Sequence, residues 1–91
     1  MKKHFNITVI GKVQGVWYRG SAAKTAKQLN LNGFVKNLKN GNVYIEAEGE
    51  ETELNQFINW CKMGPENAVV QNVRFEESEL QNFIKFIIKR F

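Results

Sequence analysis

No aspartate occurs in this 91-residue sequence, and histidine, cysteine and proline occur once each. Each scarcity removes a class of chemistry. A serine nucleophile assisted by a His/Asp pair has nothing to be built from, since the single histidine, His4, sits near the N-terminus and reads as an ordinary surface residue. One cysteine, Cys61, permits no disulfide framework. It falls on the apolar side of a helical stretch with no second cysteine or histidine nearby to activate it, so it reads as a buried inert thiol. Histidine, cysteine and glutamate are too scattered for a zinc site, and no metal is expected. No apolar run is long enough to span a bilayer, and no secretory signal pattern is visible. The expectation is a cytoplasmic protein, no membrane partner and a monomer. Asn6-Ile-Thr8 matches a glycosylation pattern but lies in a predicted strand without a secretory context.

Acidic charge is also missing from a whole region. Through Asn40 the basic residues are Lys2, Lys3, Lys12, Arg19, Lys24, Lys27, Lys36 and Lys39, with no acidic residue among them. Glu46, Glu48, Glu50, Glu51 and Glu53 then cluster, and the net charge of the chain is +4. A basic N-terminal portion favours an anionic partner without saying whether it is a small phosphate or a nucleic acid. The glutamates, on the outer face of a strand and the start of a helix, read as solvated. The length predicts one domain over residues 1–91, and an apolar share of 43% suffices for one core.

What is present is organised around Gly11-Lys-Val-Gln-Gly-Val-Trp-Tyr-Arg-Gly20. Glycines recur, acids are absent and Arg19 closes the run. Phe5, Ile7 and Val9 alternate with Asn6 and Thr8, predicting a strand that ends at Gly11. Ser21 is the expected cap of a following helix whose apolar stripe is Ala22, Ala26 and Leu29, closed by Asn30 and Gly33. Glycine permits positive φ, so such a loop can turn successive N–H groups toward one point, where a helix N-terminus adds free donors and a positive dipole end. Arg19 could clamp an anion there with two donors. Gly-rich strand-to-helix turns are common, however, and many bind nothing. This one is neither the dinucleotide fingerprint nor the Walker A loop.

Further along, Phe34, Val35 and Leu38 predict a second strand. Asn40-Gly41 is a hairpin signal, and Val43, Ile45 and Ala47 form the inner face of a third strand. Leu54, Phe57, Ile58 and Cys61 make a helical stripe ended by Gly64-Pro65. Val69, Val73 and Phe75 predict a fourth strand, and Phe83 through Ile88 a short fifth, with Lys89 and Arg90 at its end. Strand, helix, strand, strand, helix, strand and a terminal strand give an α+β, ferredoxin-like α/β sandwich of the split βαβ kind, with two helices on one face of a largely antiparallel sheet. That architecture carries many functions and decides none.

In such a fold the first loop can lie beside the second strand, where Asn37 could face the same cavity as Arg19. Asn37 could equally be an exposed polar residue before a hairpin. A carboxamide is no strong base, yet it can hold and orient a water. Positioning with charge stabilisation could suffice for an acyl phosphate, whose carboxylate leaves readily, but not for an unactivated monoester.

Gly11-Lys-Val-Gln-Gly-Val-Trp-Tyr-Arg19 resembles the acylphosphatase signature G-x-V-Q-G-V-x-[FY]-R. Gly33-Phe-Val-Lys-Asn37, with Asn40-Gly41-Asn-Val43 and Glu46-Ala-Glu-Gly49, resembles that family's second block, and Gly64-Pro65, Ala68, Val70 and Val73 its third. The similarity runs from about Phe5 to the C-terminus. It implies a hydrolase that cleaves acyl phosphates to a carboxylate and inorganic phosphate, the latter product and inhibitor, without metal or organic cofactor. It implies that the amides of Gln14, Gly15, Val16, Trp17, Tyr18 and Arg19, with the Arg19 guanidinium, hold the phosphate and that Asn37 orients the attacking water. Trp17 occupies a slot the family often fills with Gly or Phe, and Gly20-Ser21 lacks the larger residues that often follow the arginine, which bears on turnover rate. Two other readings stay open. One is a nucleic-acid-binding sheet using Tyr44 and Trp60, which Glu46 and Glu48 would oppose. The other is a non-catalytic anion-binding domain. The chain's ending at Phe91 favours a stand-alone enzyme.

Overall fold

Period-two alternation and two helical stripes set the core. The computed structural model describes residues 1–90; the expected domain limit at Phe91 lies outside them. The elements are β1 (Lys2–Lys12), α1 (Tyr18–Gln28), β2 (Asn32–Asn37), β3 (Val43–Glu50), α2 (Glu51–Met63), β4 (Val69–Ser78) and β5 (Phe86–Lys89). One sheet runs β4-β1-β3-β2-β5. β1 pairs antiparallel with β3 and β4, and β2 antiparallel with β3; only β5 runs parallel to its neighbour β2. Two helices pack on this open sheet, as expected for the ferredoxin-like sandwich. Phe5, Ile7 and Val9 lie opposite Ala47, Ile45 and Val43. All six are buried, together with Ala22 and Ala26 of α1 and Leu54, Phe57 and Cys61 of α2. Burying each large side chain stabilises by about 1.5–3 kcal/mol.

Several boundaries differ from the sequence expectations. α1 starts at Tyr18 and its N-cap is Trp17, not Ser21, which lies inside the first turn. Burial of the Tyr18 ring, whose hydroxyl donates to the Cys61 carbonyl at 2.9 Å, draws the helix start forward and overrides the capping preference of serine. Asn30 ends α1 in the left-handed region at φ 59, whereas Gly33 sits inside β2, paired with Ala47. Leu38 leaves β2 for the turn, its N–H donating to the Asn42 carbonyl at 2.8 Å. β5 begins at Phe86 rather than Phe83, whose ring instead lies 5.9 Å from that of Phe34.

The largest correction concerns charge. His4 and Glu48 are both 0% exposed, not surface residues. His4 Nδ1 lies 2.9 Å from Glu48 Oε2, and its Nε2 lies 2.9 Å from Glu46 Oε1. Facing carboxylates on both sides, the ring donates to both only when it carries both protons. Glu48 also accepts the backbone N–H groups of Gln81, Asn82 and Phe83. Burial alone would raise its carboxyl; the bonds from Gln81, His4, Phe83 and Asn82 outweigh burial and hold it below the ordinary glutamate value. Register explains the miss. His4 and Glu48 are cross-strand partners on the face away from the helices, and the segment before β5 folds over them.

Candidate active site

The loop after β1 reaches its shape because its side chains are committed elsewhere. Gln14 Nε2 donates to the carbonyls of Leu38 and Asn42, each at 2.8 Å, tying the loop to the β2–β3 turn. Val16 packs on the core cluster. Tyr18 is fixed to α2 through Cys61, and burial, followed by the Cys61 contact, raises its hydroxyl pKa far beyond the physiological range. Gly15, at φ 73, takes the turn that the loop requires. Loop direction is therefore set by three anchors on three different elements.

These anchors leave a hollow of about 330 Å³ at the C-terminal ends of β1 and β2. Gln14, Gly15, Trp17, Tyr18 and Arg19 line it, and so does Asn37 from the end of β2. Arg19 and Asn37 thus line one hollow, the arrangement the fold allows. Val16 is not among the lining residues. The first intrahelical bond of α1 runs from the Ser21 N–H to the Trp17 carbonyl at 3.2 Å, so the N–H groups of the three preceding residues have no partner within the helix. No acidic residue occupies this first turn, so nothing opposes an anion at the positive dipole end.

Two polar side chains that line this hollow have hydrogen-bonding capacity to spare. The Arg19 guanidinium makes one long contact, 3.4 Å from Nη1 to the Lys89 carbonyl, leaving its other donors unengaged by that bond. Among the described residues, the one buried side-chain polar atom without a hydrogen-bond partner is Asn37 Oδ1. A buried unpaired acceptor costs about 1–3 kcal/mol, and such groups persist where a ligand or water completes them. Amides, a guanidinium and a carboxamide together can bind a tetrahedral anion and hold a water beside it.

Sequence reasoning missed two members of this wall that lie far from the 11–20 loop in the chain. Ile88 and Arg90, from β5 and the residue just beyond it, also line the hollow. Arg19 is therefore not the sole side-chain cation there. The basic pair Lys89-Arg90 was the visible signal, but only the parallel pairing of β5 with β2 carries it to the site. The aromatic pair considered for nucleic acid forms no platform. The Tyr44 hydroxyl donates to Glu46 Oε2 at 2.8 Å on the open face, whereas Trp60 stacks on Phe57 within α2. Among the described residues no His, Cys, Asp and Glu group is placed to hold a metal, and no helix is long and apolar enough to cross a membrane.

Comparison with known proteins gives the family. The acylphosphatase family model matches residues 5–88. An acylphosphatase of Hahella chejuensis is 44% identical over 78 residues, spanning 86% of this chain and 83% of that protein. One of Thermotoga maritima is 42% identical over 89 residues, spanning 98% of this chain and 99% of that protein. The solved structure of an acylphosphatase from Coxiella burnetii superposes with a TM-score of 0.94 at 39% identity, covering 97% of this chain and 93% of that one. With the family model matched over residues 5–88 and the fold and nearly its whole length in common with these proteins, this chain belongs to the acylphosphatase family.

Proposed function

We propose that this enzyme hydrolyses acyl phosphates by in-line attack of water on phosphorus, with Arg19 and Asn37 as its catalytic side chains. The observation that carries the reading is the single hollow lined by Arg19, Asn37 and the first residues of α1, whose N–H groups have no partner within the helix. The phosphoryl group sits in the amide ring of residues 14–19 and is clamped by Arg19, whose charge and fixed donors favour the charge that develops on the phosphoryl oxygens. Asn37 accepts a hydrogen bond from the attacking water and aims its lone pair. The reaction is R–COO–PO₃²⁻ + H₂O → R–COO⁻ + H₂PO₄⁻. The new bond is water oxygen to phosphorus, and the bond broken is phosphorus to the bridging oxygen, which departs with its electron pair as carboxylate. The water's proton passes to a phosphoryl oxygen, which is why no strong protein base is required. Inorganic phosphate, as product, occupies the same cradle and inhibits. A single acylphosphatase-like domain over residues 1–91, a monomer, and action in the cytoplasm belong to the same proposal.

The test is steady-state hydrolysis of acetyl phosphate in the presence of EDTA, with inorganic phosphate as competitor. Activity that survives EDTA and is competitively inhibited supports the reading. Loss of activity on chelation, restored by a divalent cation, would sink it.

A further inference from the structure

Trp17 is an apolar residue placed in a costly way. It is 77% exposed. Its backbone is left-handed, at φ 66 and ψ 24, a region that side chains other than Gly, Asn and Asp enter with strain. Its indole packs against Gly20, where an added Cβ would lie 2.7 Å from two ring carbons. The missing side chain at Gly20 is what lets the ring rest on the first turn of α1. The indole is therefore held at the rim of the hollow that contains Arg19 and Asn37 while most of its surface stays in water. Strain of this kind concentrates at binding sites, where the surrounding structure over-determines it.

The hollow's lining is of two chemical kinds. Arg19, Arg90, Asn37 and the loop main chain make up its polar part. Trp17 at the rim, with Val13 and the half-buried Ile88, makes up its apolar part. The volume of about 330 Å³ is roughly ten times a water molecule's share of the liquid, more than a phosphoryl group alone requires. A substrate with its phosphoryl group in the polar part must direct its acyl group along the remaining wall.

We propose that Trp17 is a specificity-determining residue: its indole forms the wall against which the acyl group lies, and it selects acyl phosphates whose acyl group is flat and apolar, such as an aromatic carboxyl, over short aliphatic ones. This rests on the hollow being the active site. A planar ring gains contact area and offset stacking from the indole, whereas a methyl group reaches little of it.

The experiment compares kcat/KM for benzoyl phosphate and acetyl phosphate in the parent, Trp17→Gly, Trp17→Phe and Arg19→Ala proteins. Glycine takes the left-handed conformation without strain, so Trp17→Gly removes the wall and keeps the turn. The two leaving carboxylates are similar in basicity, and any change in the cradle itself affects both substrates and cancels in the ratio. The benzoyl-to-acetyl ratio is expected to fall about 5–10-fold in Trp17→Gly and to stay within about 2-fold of the parent in Trp17→Phe. A ratio unchanged in Trp17→Gly, with both rates falling together, would overturn the role of Trp17 and leave it as part of the turn. If Arg19→Ala hydrolyses both substrates like the parent, the site assignment itself fails, whatever the Trp17 variants do.

Discussion

The two ends of this sheet treat buried polarity in opposite ways. At the end carrying His4 and Glu48, each buried polar group is met. Glu48 takes three backbone N–H groups and a ring nitrogen, and His4 is held between two carboxylates. At the end carrying Arg19 and Asn37, an amide oxygen is buried with no partner, a guanidinium is barely engaged, and a helix start lacks a side-chain cap. The first arrangement spends its hydrogen bonds on holding the segment before β5 to the sheet. The second keeps its hydrogen-bonding capacity for something outside the chain. Satisfied polar groups hold structure here, and unsatisfied ones line the candidate site.

That contrast can be broken by substitution at either end. The largest effect on folding is expected from Glu48→Ala, which strands three N–H groups and the His4 ring: about 3–5 kcal/mol lost in urea unfolding. Arg19→Ala should do the reverse, lowering kcat/KM about 10²–10³-fold while the unfolding free energy from urea titration changes by less than about 0.5 kcal/mol. Asn37→Ala should lower kcat about 10²-fold with KM and phosphate inhibition within about 3-fold, because it acts on the water more than on the anion. It should leave stability equal or raised, since it removes an unpaired buried acceptor. If Asn37→Ala destabilised the fold more than Glu48→Ala did, the contrast would be wrong.

A subtler test uses pH. The folded-state pKa of Glu48 is depressed, so its stabilisation is fully present above the ordinary value of 4.5 and is lost as pH falls through the lower, folded-state value. The parent's unfolding free energy should therefore drop in acid, and this drop should be shallower in Glu48→Gln when urea midpoints are compared from about pH 5 down to 3. The smallest signal is expected at Cys61. Burial pushes its thiol pKa up to about 12, so iodoacetamide at neutral pH should label it only as fast as the chain opens.

Much of this was readable before any coordinates. The alternation of Phe5, Ile7 and Val9, and the Leu54, Phe57, Ile58 and Cys61 stripe, gave strand, helix and buried face directly, because side-chain period is a local property of the backbone. The 11–20 loop was visible as a place where glycines and a lone arginine follow a strand. His4 and Glu48 were misread because the same alternation that buries their neighbours points them away from the helices. Nothing local reveals that residues 81–83 return to cover that face. Ser21 was misread because a hydroxyl favours capping only until a buried tyrosine claims the turn before it.

The order of residues by itself determined the element types, most core-facing positions and the family, and it singled out Arg19 and Asn37, the two side chains proposed to carry the reaction. Tertiary structure decided which polar groups are sealed and which stay open, where α1 begins, and that Ile88, Arg90 and Trp17 share a wall with Arg19. The division has a physical cause. Periodicity and turn chemistry act over a few neighbouring residues, whereas burial and hydrogen-bond satisfaction depend on segments tens of residues apart arriving at one place.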